Sequence, residues 1–277
     1  MSAVPPGAPR VYHFPRLALA LWAVDMVLGR RRSFYRDSET TLRGVRPPPR
    51  VEGQEHIPAE GAFVAVANHY ERPGLNMHFA GMLMSRGIGR RRPQVPEVHW
   101  IITSQWFGRR LGIVPVPDAF WRWTFRRAGR MYDFVVMPRA TEKAMGRAAA
   151  LRRAAAYALG RSGRPGEPLA LMPEVLGKGV LIEPPPGVGL FLKSLSDRGL
   201  PLLPVGLRED ADGVLVASFG EPFHISAEES KDVEAADRLA REQVMVAIGR
   251  LLPPEYWGFY EEAVARSLET DGPGGQR

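Results

Sequence analysis

Two short apolar runs in this chain each lead into a residue that can move or hold a proton. FVAVA (Phe63 to Ala67) runs into Asn68-His69, and PLALM (Pro168 to Met172) runs into Pro173-Glu174. An imidazole titrates near working pH and can take a proton from a hydroxyl as that oxygen attacks an acyl carbonyl. A carboxylate brought to the same rim needs a partner or solvent. Continuous apolar segments bounded by turn residues read as buried parallel strands, and open α/β sheets place their sites outside the carboxyl ends of such strands. His69 is therefore the leading catalytic candidate, with Glu174 beside it. Arg72, in the turn after His69, is a further candidate for a phosphate contact.

The elements that must position these residues follow from the same pattern. A strand at 62–67 leads to a helix at 75–86, then to strands at 98–103 and near 133–137, a helix near 141–160 and the strand ending at Pro173-Glu174. After the Pro-rich turn at 183–187, residues 188–197 read as a helix, 201–207 as a strand, and 213–219 as a hairpin-like continuation. Strands alternating with helices predict an α/β fold with a mostly parallel central sheet flanked by helices. Ser226, with Glu229 three residues on, forms a capping box for a last long helix running to about Leu252. GIGRRRP (Gly87 to Pro93) reads as a solvated loop, because its glycines lack the strand-then-helix setting of a phosphate-binding loop.

Residues 1–50 read as an N-terminal tail, an amphipathic interfacial helix and the Pro-rich linker RPPPR, residues 51–260 as one α/β domain, and 261–277 as a C-terminal tail. The apolar stretch 14–28, followed by Arg30, Arg31 and Arg32, is short of the roughly 20 apolar residues a membrane-spanning helix needs. Two readings stay open for it: a helix lying in a lipid interface with its basic end on head groups, or a helix packed on the protein's own core.

The chain has 277 residues, 45% hydrophobic and 24% charged, which suits a globular core and not a disordered chain. The absence of cysteine excludes disulfides, a catalytic thiol and thiolate metal sites. The six histidines show no HxH or HExxH spacing, so no metal is expected. A formal charge of +7 favours anionic partners: nucleic acid, an acidic membrane or phosphate-bearing substrates. Residues 104–131 interleave Trp106, Phe107, Trp121, Trp123 and Phe125 with arginines, a pattern shared by nucleic-acid platforms and lipid-facing surfaces. No RNA-binding signature accompanies it, so lipid is the preferred partner and nucleic acid is not expected.

Four regions in order between residues 50 and 258 resemble the glycerophospholipid (lysophosphatidic acid) acyltransferases. Asn68-His69 resembles the family's His-x-x-x-x-Asp block, and FVVMPR, ending in Arg139, resembles the second block. GIVPVPD (Gly112 to Asp118) has a similar apolar pattern but no arginine. MPEVLGKG, with Pro173 and Glu174, resembles the Pro-Glu-Gly-Thr-Arg block, and PLLPVGL, with Pro204, resembles the fourth. The resemblance implies transfer of an acyl group from acyl-CoA or an acyl carrier protein, as co-substrate and without a resident cofactor, to a hydroxyl of glycerol phosphate or a lysophospholipid. It implies a cytoplasmic protein held peripherally at an anionic membrane surface. His69 would be the general base, with Glu174, Arg139 and Lys178 holding the acceptor's phosphate. Lys178 stands in for the block's arginine and lacks its planar fork. Gly74 occupies the position of the first block's aspartate, which leaves three ways to orient the ring: Glu71 or a remote carboxylate, a backbone carbonyl, or no orienting group and a weak site.

Overall fold

The computed structural model describes residues 11–103, 110–111, 114–138, 144–160, 164–177, 179–226 and 232–270. Its elements in chain order are α1 (Arg16–Leu28), α2 (Phe34–Arg43), β1 (Arg50–Glu52), β2 (Val64–Ala67), α3 (Met77–Arg91), β3 (His99–Thr103), β4 (Arg110–Leu111), β5 (Val114–Pro115), α4 (Asp118–Tyr132), β6 (Val135–Met137), α5 (Ala144–Ala158), β7 (Leu169–Leu171), α6 (Val188–Ser196), β8 (Leu202–Glu209), β9 (Leu215–Phe219), α7 (Val233–Gly249) and α8 (Glu261–Thr270). Seven strands form one sheet in the order β1-β9-β8-β2-β7-β3-β6, and β4 pairs only with β5. Every neighbouring pair in the large sheet is parallel except β8 and β9, whose short connection gives an antiparallel hairpin.

The expected α/β architecture, a mostly parallel sheet with helices on both faces, is what forms. All four residues of β2 are buried. Their alternation divides the core: Ala65 and Ala67 join Phe79, Leu83 and Ile88 of α3, while Val64 and Val66 join Ala154 of α5, Leu192 of α6 and Val244 of α7. A strand sandwiched this way reads as a continuous apolar run because neither face meets water. Pro204 interrupts β8 where it does no harm. The β8–β9 pairing begins at Val205↔Phe219, one residue past the missing N–H, and the Pro204 carbonyl still accepts from Gly220 N at 2.9 Å.

Two helix assignments differ from the sequence reading. GIGRRRP is not a loop: Gly87 to Arg91 complete α3, which begins at Met77 under an Asn76 cap. Glycine serves close packing there, since a Cβ on Gly87 would sit 2.9 Å from the Phe219 ring, and one on Gly89 would meet the ring of Tyr35. Arg90 pairs with Glu39, and Arg92 is buried with Nη1 donating to the Pro58 carbonyl at 2.7 Å. The last long helix starts at Val233, not Ser226. Asp232 caps it by accepting from Glu234 N and Ala235 N, placing a carboxylate at the positive end of the helix, and it ends at Gly249. Glu229 lies outside the described residues, and Ser226 N donates to Gln243 Oε1 on the flank of α7.

Residues before the prolines at 47–49 also enter the core. Leu42 of α2 and Tyr12 are buried with α3, and Arg32 forms a bidentate pair with Asp37, which also accepts from Tyr132 Oη at 2.6 Å. Tyr12 works as a stitch: its N–H donates to the Gly74 carbonyl at 2.8 Å and its hydroxyl accepts from Leu215 N at 3.1 Å. Helix α1 behaves differently, burying only Met26. Leu17 is 73% exposed and Val27 66%, and Leu19, Leu21, Val24 and Leu28 are exposed with them around much of the helix. Core packing is thus not what this apolar helix provides. Arg127 of α4 closes its carboxyl end by donating to the Met26 and Val27 carbonyls, and α4 exposes Phe120 and Trp123. Among the described residues no helix is long and apolar enough to cross a membrane.

Gly189 provides a test of this packing. A Cβ there would press into the Asp237 carbonyl oxygen and lie 2.9 Å from Arg241 N, both backbone atoms of α7. Alanine improves helix propensity by about 1 kcal/mol, yet Gly189→Ala should lower stability by about 1–3 kcal/mol overall, because two packed helices must separate. Urea unfolding monitored by circular dichroism reads the sign.

Candidate active site

The central strand β2 lies between β8 and β7, with Val66 opposite both Leu171 and Pro204. Asn68 and His69 leave β2 at its carboxyl end, and Glu174 leaves β7 at the same rim. Asn68 extends the ladder with its side chain: Nδ2 donates to the Leu207 carbonyl at 2.8 Å, and Oδ1 accepts from Leu207 N at 2.7 Å. The chain is thereby fixed one residue before His69.

Glu174 is 4% exposed and bonds backbone at both oxygens. Oε2 accepts from His69 N at 2.6 Å and Oε1 accepts from Ile182 N at 2.7 Å. The carboxylate ties β2 to the far end of the loop that follows β7. Burial pushes its pKa from 4.5 up to about 7, against the downward pull of the two N–H donors. Val175, next in the chain, sits at φ 66°. A β-branched residue in the left-handed region costs on the order of 1–3 kcal/mol, and it persists only where the surroundings hold it. Here the holder is Glu174, with Leu181 N bonded to the Tyr256 carbonyl at 2.8 Å closing the loop's other end.

The His69 side chain lies beneath that loop, and the residue is 8% exposed. Burial lowers its pKa, while the charge of Glu71 and the ring's contact with its own backbone carbonyl pull upward. Nδ1 is buried and bonds to nothing among the described residues. His78, near the start of α3, has its pKa lowered to about 4, chiefly through burial and further by the charge of His69.

Of the six residues singled out in the sequence, His69, Glu71 and Glu174 come together. Arg72 stands apart from the phosphate role expected of it. Its guanidinium forks onto both oxygens of Glu209, the last residue of β8, and Nη1 donates to the Pro73 carbonyl at 2.8 Å. A fork already matched to a carboxylate has its charge and its planar donor face in use. Arg139 and Lys178 lie outside the described residues. Glu209 itself escaped the sequence reading, which ended the strand at Leu207. It also accepts from Tyr70 Oη at 2.9 Å. Its partners are 137 and 139 residues away, so no local pattern announces them. His78 escaped as well.

The Glu174 bridge has a pH signature. The native carboxyl holds its proton to about pH 7, whereas the unfolded one releases it near 4.5. Stability contributed by this group is full below 4.5 and declines as pH rises through 7. Glu174→Gln places an amide N–H₂ against one backbone N–H, so it should cost about 1–3 kcal/mol and flatten the change in stability between pH 5 and 7.5 relative to wild type. Chemical denaturation at the two pH values checks both outcomes.

No protein-family model matches this chain, and no curated protein matches it. Among solved structures the chain is similar to the 1-acyl-sn-glycerophosphate (LPA) acyltransferase PlsC from Thermotoga maritima, at 15% sequence identity and a TM-score of 0.42, over 76% of this chain and 76% of that one. So distant a likeness carries no argument about activity, and what the chain does rests on its own residues.

Proposed function

We propose that this protein is an acyltransferase that moves a fatty acyl group from an acyl thioester, acyl-CoA or acyl carrier protein, to a hydroxyl of glycerol phosphate or a lysophospholipid. The observation that carries the reading is the meeting of His69 and Glu174. Two segments that resemble separate blocks of one acyltransferase family leave adjacent parallel strands at one rim and join through the 2.6 Å bond from His69 N to Glu174 Oε2.

In this reading His69 takes the proton as the acceptor oxygen attacks the thioester carbonyl carbon. The carbon–sulfur bond then breaks, and the thiolate leaves with the proton that His69 returns. Glu71 favours the imidazolium formed in between. Glu174 acts by holding the His69 backbone and the covering loop. The acceptor's phosphate falls to Arg139 and Lys178, with Arg72 engaged elsewhere by Glu209. Positioning two bound substrates supplies much of the rate.

A second reading, a lipid-binding protein of the same fold without transfer activity, is favoured by one observation: a ring covered by its loop, with Nδ1 unbonded among the described residues and Gly74 where a carboxylate would orient it. Purified protein incubated with acyl-CoA and lysophospholipid separates the two. Transfer supports the first reading, and binding without transfer the second. His69→Ala should lower kcat/KM about 10²–10⁴-fold, and unchanged turnover removes His69 from the mechanism. Because burial lowers the His69 pKa, the acid limb of kcat/KM should fall below pH 6.5.

The same reading places the protein peripherally on an anionic membrane at the cytoplasmic side. The apolar exposure of α1, beside the exposed Arg30, Arg31 and Arg130, supports it. Leu21→Asp combined with Leu28→Asp removes two exposed apolar side chains worth about 1.5–3 kcal/mol each when buried. Retention on anionic phospholipid vesicles in a sedimentation assay should drop at least about tenfold, and undiminished retention removes α1 from the contact.

A further inference from the structure

The buried Nδ1 of His69, without a bonding partner among the described residues, requires a physical account, since polar atoms sealed from water are nearly always bonded. It bears on the chemistry as well. An imidazole can accept a proton at Nε2 only in the tautomer that carries its hydrogen on Nδ1, and that hydrogen needs an acceptor. Gly177 packs directly against this nitrogen. A Cβ on Gly177 would press into Nδ1 and lie 2.7 Å from the His69 carbonyl oxygen and 2.9 Å from Cγ of Glu71. Ring, carbonyl and glutamate stem thus converge on one point, which stays clear only because residue 177 has no side chain.

We propose that Gly177 is a positioning residue: by carrying no side chain it lets the half-buried Glu71 approach the His69 ring, so that the Glu71 carboxylate accepts the Nδ1–H and Nε2 is left as the base. The proposal rests on the acyl-transfer reading for its catalytic meaning, but the geometry it asserts can be tested without turnover. It also answers how a chain with Gly74 in place of an aspartate would orient its imidazole. Nδ1 and the Glu71 Cγ both lie within 3 Å of the point a Gly177 Cβ would occupy, which brings the carboxylate stem beside the ring. The other groups facing His69 are the His78 ring of α3, whose charging His69 disfavours, and Glu174, which bonds the His69 backbone and not the ring. The competing acceptor is the backbone carbonyl of His69 itself.

The test is a ¹⁵N-detected pH titration of His69 in wild type, Glu71→Gln, Gly177→Ala and the double variant. With Glu71 as acceptor, wild type shows the Nδ1–H tautomer. Glu71→Gln lowers the His69 midpoint by about half a pH unit or more, roughly a threefold change in proton affinity. Gly177→Ala lowers it in the same direction, and the double variant adds little to either. A midpoint that does not move in Glu71→Gln, an isosteric change at a half-buried side chain, overturns the proposal and assigns the ring to the backbone carbonyl. This arm stands even if Gly177→Ala fails to fold. Shifts as expected in a protein without transfer activity uphold the positioning and overturn only the catalytic reading. Wild-type kcat in Glu71→Gln together with an unmoved titration overturns the positioning alone.

Discussion

One carboxylate accepting two backbone N–H bonds is the constraint on which the rim of this sheet depends. Glu174 reaches His69 N on one side and Ile182 N on the other, so the end of β2 and the end of the loop after β7 share a single anchor. An amide side chain cannot reproduce this, because both partners are donors and an amide offers a single accepting oxygen. Burial works against the anchor by favouring the protonated acid, and the N–H donors work against burial. The two bonds hold the loop on which the strained Val175 sits.

The central strands were legible in the sequence for a definite reason. β2, β7 and β8 are covered on both faces, so their composition alone declares them, and the chemistry-bearing residues could be placed at one rim by counting past their ends. Helix boundaries were harder. Gly87 and Gly89 carry the composition of a turn but are glycine because Phe219 and Tyr35 press on α3, and a packing requirement of that kind has no local signature. Ser226 offered a plausible cap, yet Asp232 stands directly before the first helical residue and takes the role.

The candidate site shows the same division. His69, Glu71 and Glu174 were found from their positions, whereas their bonding was not. Glu174 suggested a ligand for substrate and proves to hold backbone; Arg72 suggested a phosphate contact and is matched by Glu209, far along the chain. Buried charges settle their partners through the tertiary fold, and a partner 137 residues distant is invisible to spacing arguments. Arg139 and Lys178 fall outside the described residues.

The Tyr12 stitch has a consequence for how the amino-terminal arm relates to the rest. Its N–H and hydroxyl fasten it to two separate places, the turn at Gly74 and the start of β9, while its ring and that of Phe14 lie against Phe79. A protease cut between this residue and α1 would leave Tyr12 held to the body by these bonds and ring contacts, while α1 stays covalently joined to α2 through Gly29. The arm is therefore less a leash than a seam, and whatever pulls on α1 pulls on the bend that follows His69.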